Sequence, residues 1–128
     1  MKFDFRHFTF NSIFRLDDYS SEILLIDNDL DQNQLTRANQ LIQHTNENIQ
    51  NILNILSDAS KNWSVSRIGK AERSALILGI SELILNLTPR KVIVSEWTKI
   101  VDKHSSSDGA KFVNAILDNI SKNNDIDN

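Results

Sequence analysis

A chain of 128 residues amounts to one domain, long enough to bury roughly two-thirds of the surface that an unfolded chain exposes. Hydrophobic residues at 40% and charged residues at 24% exclude a disordered chain, and the lack of cysteine excludes thiolate catalysis, disulfides and cysteine-ligated zinc or iron–sulfur centres. A net charge of −3 argues against general nucleic-acid binding, while three glycines and one proline leave room for few turns and favour a handful of long helices.

The first predicted helix covers Lys2–Leu16. Phe10, Ile13 and Phe14 recur at i, i+3 and i+4, with Phe3 one heptad earlier, while Phe8 and Leu16 fall on the opposite side, so two neighbours should cover it. Tyr19–Ile26 reads as a short second helix, capped by Ser20 or Ser21 and broken by Asp27-Asn28-Asp29. Asp31–Ala59 reads as one long helix whose inner face is Leu35, Ala38, Ile42, Thr45, Ile49, Ile52 and Leu56, with a solvated Asn- and Gln-rich back. In the loop that follows, Trp63 needs an apolar place for its ring, which predicts a plug between subdomains.

Lys70–Asn86 is apolar almost all round, the mark of a helix in the middle of a bundle. Thr88-Pro89 predicts the N-cap and N1 of the next helix, with Ile93, Trp97, Ile100 and Val101 inward. A last helix, Asp108–Lys122, points Val113, Ile116, Leu117 and Ile120 to the core. These elements predict an all-α bundle of six to seven helices, a single domain over 1–122 followed by a frayed polar tail over 123–128. The opening MKFDFRHFTF lacks the apolar run of a secretory signal, and Ser74–Pro89 is too short and polar to span a bilayer. The expected location is the cytoplasm, with no membrane association.

Charge is unevenly spread. Residues 1–31 hold three basic and seven acidic side chains, whereas residues 61–111 hold nine basic against five acidic, a local net of +4. Part of the surface can therefore attract phosphate although the whole molecule would not. His7, His44 and His104 lie on three separate predicted helices without metal-ligand spacing, and Gly69, Gly79 and Gly109 are too scattered for a phosphate-cradling loop. Asp17-Asp18 and Asp27–Asp31 suit turns and caps, and Ser105–Ser107 lack a partnered base. Nothing argues for catalysis or for a cofactor.

The segment around Phe112 carries more information. At 100° per residue, Phe112 lies about 90° from the inward stripe of the last helix, with Lys111 and Asp108 turned further outward beside it. An aromatic ring beside a lysine at a helix N-terminal end can stack an unpaired base while the ammonium and backbone N–H groups meet phosphate. A ring half-buried against a neighbouring helix accounts for the same spacing.

The order of residues in the second half resembles the NusB family of transcription antitermination and ribosomal-RNA maturation factors. The matching features are Glu72-Arg73, an apolar stretch, Glu82-Leu83, Pro89, Lys91-Val92, Glu96, and Lys111-Phe112-Val113-Asn114-Ala115-Ile116-Leu117-Asp118. The likeness covers residues 63–118 well and 6–16 more weakly, the latter through Arg6 and Phe14. It implies two small helical subdomains sharing one core, and a non-enzymatic factor that binds boxA-type single-stranded RNA together with the ribosomal protein NusE. That pair would serve the RNA polymerase antitermination complex while ribosomal RNA is made. By the same likeness Arg6, Asp108, Lys111 and Phe112 would face RNA, and Phe14 and Glu72 the protein partner.

The family's N-terminus is commonly arginine-rich, whereas here Lys2, Arg6, His7 and Arg15 stand with Asp4, so fewer counterions would be released and binding should be weaker and less salt-sensitive. Two other readings stay open: the recognition domain of a ribosomal-RNA methyltransferase system, and a protein-only helical module. A homodimer is compatible with the pattern.

Overall fold

The computed structural model describes residues 4–16, 31–61 and 68–123, with the backbone alone for residues 13–16. Among the described residues the regular structure is entirely helical. The six helices are α1 (Phe5–Leu16), α2 (Gln32–Glu47), α3 (Ile49–Ala59), α4 (Lys70–Leu85), α5 (Arg90–His104) and α6 (Ser107–Lys122). The predicted helix over Tyr19–Ile26, the Trp63 plug, the side chains of Ile13, Phe14 and Leu16 and residues 124–128 of the tail lie outside the described residues.

α4 occupies the centre because its sequence leaves it no polar side. Every residue from Ala71 to Leu83 except Arg73 is buried, and α4 touches each of the other five helices. α1, α2 and α3 pack on one part of its circumference, and the α5–α6 hairpin on another, with a further contact between α3 and α6. One continuous apolar core joins both groups, running from Phe5, Phe8 and Phe10 through Ile77, Leu78 and Trp97 to Ile116 and Leu117. Gly79 permits the close approach of α4 and α6: a Cβ there would lie 2.9 Å from Leu117 Cδ1.

Three local expectations are corrected. The single helix expected over Asp31–Ala59 is two, broken at Asn48 (φ −121°, ψ 18°). The Asn48 backbone N–H and side-chain Nδ2 both donate to the His44 carbonyl, at 3.1 and 2.9 Å, so the side-chain amide competes with the helical ladder. Thr88 does not cap α5, because its hydroxyl accepts from Arg37 Nη2 at 2.8 Å. Pro89 is the N-cap instead, its carbonyl accepting from Val92 and Ile93. The first helix begins at Phe5 rather than Lys2, and Phe5 is buried too: the guanidiniums of Arg6 and Arg37 lie 4.5 and 4.1 Å from its ring centroid.

Candidate RNA-binding edge at the start of α6

The start of α6 is fixed from both sides. Ser106, the N-cap, accepts from the Gly109 N–H at 2.9 Å, satisfying one of the unpaired donors of the first turn. Asp108 lies in that turn, exposed, where negative charge complements the helix dipole. Beneath it, the buried Glu72 carboxylate, from the first turn of α4, accepts from the Ser105 hydroxyl. A Cβ at either Gly69 or Gly109 would overlap this carboxylate, so a side chain at either position would displace it. Glu72 thereby braces the beginnings of two helices.

On that base Lys111 is exposed and Phe112 is half-buried and packed against the core. Phe112 is neither sealed inside nor held wholly in solvent. The outward face of α6 thus offers an ammonium and a carboxylate next to part of an aromatic ring, a combination suited to stacking and hydrogen bonding with an unpaired nucleotide. Lys103, exposed in the last turn of α5, adds positive charge on the other side of the turn. His104 next to it is exposed as well, with its ring centroid 5.4 Å from Phe10 and 6.3 Å from His7.

The structure brings Asp108, Lys111 and Phe112 together at the surface, with Glu72 buried beneath the same turn, and holds Arg6 on Glu82 elsewhere in the bundle. Arg6 lies inside the bundle. Its side chain is 7% exposed, and Nε and Nη2 donate to Glu82 Oε1 and Oε2 at 2.9 and 2.6 Å. Trp97 Nε1 donates to the same Glu82 carboxylate at 2.8 Å. A charge this well paired inside the bundle ties α1 to α4 and α5 and is not presented to a phosphate. Glu72 is buried likewise: at 8% exposure it holds the α6 start from within. Phe14 belongs to α1, but its side chain lies outside the described residues.

Besides Phe10, His7 of α1 reaches toward the α5–α6 turn, a residue that periodicity did not single out. Its backbone N–H and Nδ1 approach Asp4 Oδ1 at 3.1 and 2.9 Å. Burial pushes the Asp4 carboxyl up. The hydrogen bonds from His7, with the charges of His7 and Arg6, outweigh that and hold it below its usual 3.8. The only sequence signal for this pairing was the i, i+3 spacing of Asp4 and His7 on one helical face. Among the described residues no cluster of His, Asp and Glu could hold a metal ion, and no helix is long and apolar enough to cross a membrane.

Comparison with known proteins agrees with this architecture. The sequence matches the NusB family model over residues 6–122. A transcription antitermination protein NusB of Fervidobacterium nodosum is 35% identical over 121 residues, covering 93% of this chain and 79% of the relative. The NusB of Fusobacterium nucleatum subsp. nucleatum is 34% identical over 93 residues, covering 73% of this chain, and the match spans only 61% of that relative's length. Among solved structures, T. maritima NusB superposes with a TM-score of 0.81 at 29% identity, covering 95% of this chain and 93% of that one. A chain in a crystal structure of a plectonemic RNA supercoil gives a TM-score of 0.77 at 27% identity, with 92% and 91% covered.

Proposed function

Because the chain belongs to the NusB family of transcription antitermination proteins, a family of factors rather than enzymes, we propose that it binds boxA-type single-stranded RNA together with the ribosomal protein NusE. In this reading it acts in the cytoplasm as part of the RNA polymerase antitermination complex. The observation that carries the RNA half is the exposed Lys111 beside the half-buried Phe112 at the braced start of α6. A base stacks on Phe112, the Lys111 ammonium neutralises a phosphate, and the Asp108 carboxylate accepts from a base edge or a 2′-hydroxyl. Arg6 contributes as a positioning residue, fixing α1 against α4 and α5 through Glu82.

The NusE half rests on family membership, with the C-terminal part of α1, which carries Phe14, as the surface the resemblance assigns to it. The net charge of −3 makes a second macromolecule useful, since one lysine and one ring release few counterions by themselves. The test is a titration of boxA-like RNA at low salt with and without NusE. Binding should be tighter with NusE present; no RNA binding under either condition would eliminate the reading. Within that assay, Phe112→Ala should weaken RNA binding by about 1–3 kcal/mol through lost stacking, with helicity by circular dichroism unchanged.

A further inference from the structure

The antiparallel α5–α6 hairpin leaves a groove of about 380 Å³ on its outer side, and Val94 forms part of its apolar lining. Lys91, Ser95 and Lys99 line it from successive turns of α5, and Asn114 and Asp118 line it from α6. This volume is at the small end of ligand sites, and the lining combines an apolar surface with cations, a hydroxyl and an amide.

We propose that this groove is a second nucleotide subsite, taking the continuation of the RNA strand that stacks on Phe112; the inference rests on the RNA reading given above. Continuity carries it. Asn114 lies one turn beyond Lys111 on α6, about 4.5 Å along the axis, and Lys111 projects between the Phe112 flank and the groove flank of the helix. A strand leaving Phe112 therefore crosses α6 at Lys111 and enters the groove at Asn114.

Charge supports RNA over a basic protein segment. The nearby carboxylates are already engaged, Glu96 with Lys99 at 3.2 Å and Asp118 with Lys122 at 2.9 Å. The Lys99 ammonium is 68% exposed, so its pairing with Glu96 is weak and yields to a phosphate. Lys91 has no carboxylate within ion-pair distance among the described residues and is exposed. The Asn114 amide supplies a donor and an acceptor for a base edge, which a purely phosphate-binding groove would not need.

The experiment compares single-stranded RNAs of about 6 and about 12 nucleotides, titrated against the wild-type chain, Lys91→Ala/Lys99→Ala, Phe112→Ala and the charge control Lys61→Ala. Lys61 is exposed just beyond the C-terminal end of α3 and does not line the groove. The groove variant should bind the longer RNA about tenfold more weakly and lower its salt slope by roughly 1.4, two phosphate contacts at about 0.7 each. The shorter RNA and the Lys61→Ala control should be little changed.

A groove variant that binds both RNAs as wild type does, while Phe112→Ala is impaired, overturns the groove and leaves the Phe112 site standing. Equal loss in Lys61→Ala reduces the effect to general charge and overturns it too. Loss of NusE binding with RNA binding intact makes the groove a protein surface, again against the proposal. A wild-type chain that binds neither RNA removes this proposal and the RNA reading together.

Discussion

At the scale of single residues, burial decides between roles that sequence leaves equal. Arg6 and Lys111 are both cations beside an aromatic residue, yet one is locked on Glu82 and the other is exposed. Arg6→Ala would strand the Glu82 carboxylate with Trp97 as its remaining donor. It should cost about 3–5 kcal/mol, as breaking a buried pair does, read as a lower denaturation midpoint. RNA affinity of the folded variant should stay near that of wild type; a loss of affinity without a loss of stability would return Arg6 to the RNA surface. The Phe112 flank position was readable from helical angles because it depends on its own helix alone. Arg6 was not, because its partner Glu82 lies 76 residues away and two carboxylates of the same central helix, Glu72 and Glu82, look alike in sequence. No short-range pattern distinguishes the carboxylate that receives an arginine from the one that braces a turn.

Helix starts and stops carry the energetics at the next scale. Ser106→Ala removes the side-chain acceptor for the Gly109 N–H and should destabilise by about 1 kcal/mol, measured by denaturant unfolding. Gly109→Ala puts a methyl group against the Glu72 carboxylate and should cost about 1–3 kcal/mol. Combining it with Glu72→Ala tests the cause: the double variant should lose less than the sum of the two single losses, as expected when one change removes the other's clash. Simple additivity would show that the two do not meet. Apolar periodicity located α4, α5 and α6 to within a residue or two, since each buries a stripe or a whole circumference. It missed the break at Asn48, where apolar spacing continues from Ile42 through Thr45 and Ile49 as though nothing intervened. There an Asn side chain and not the apolar pattern sets the boundary. At Thr88 the competing partner was Arg37, 51 residues away, which sequence spacing does not reveal.

For the molecule as a whole, titration should follow the histidines. His44 lies against Ser81, Nδ1 to Oγ at 2.7 Å; burial lowers its pKa from 6.5, with Glu47 opposing. His104 is lowered as well, by burial first and then by the charges of Lys103 and His7. Both groups are harder to protonate folded than unfolded, so the unfolded chain binds more protons as pH falls below 6.5. Their contribution to stability is complete above 6.5 and is lost progressively as pH drops toward the folded values. Asp4, held below 3.8, adds a second loss under more acidic conditions, as pH falls through its folded value. Chemical denaturation at stepped pH should show stability declining below 6.5, and His44→Gln should flatten that decline; a flat profile in the wild-type chain would contradict the assigned shifts. The clasp of Glu72 on two glycines and Ser105 has a dynamic corollary. Two backbone segments sharing one anion cannot loosen separately, so deuterium should enter the amides opening α4 and α6 at a common rate. A nucleotide seated over the start of α6 would then slow exchange at the opening amides of the central helix too.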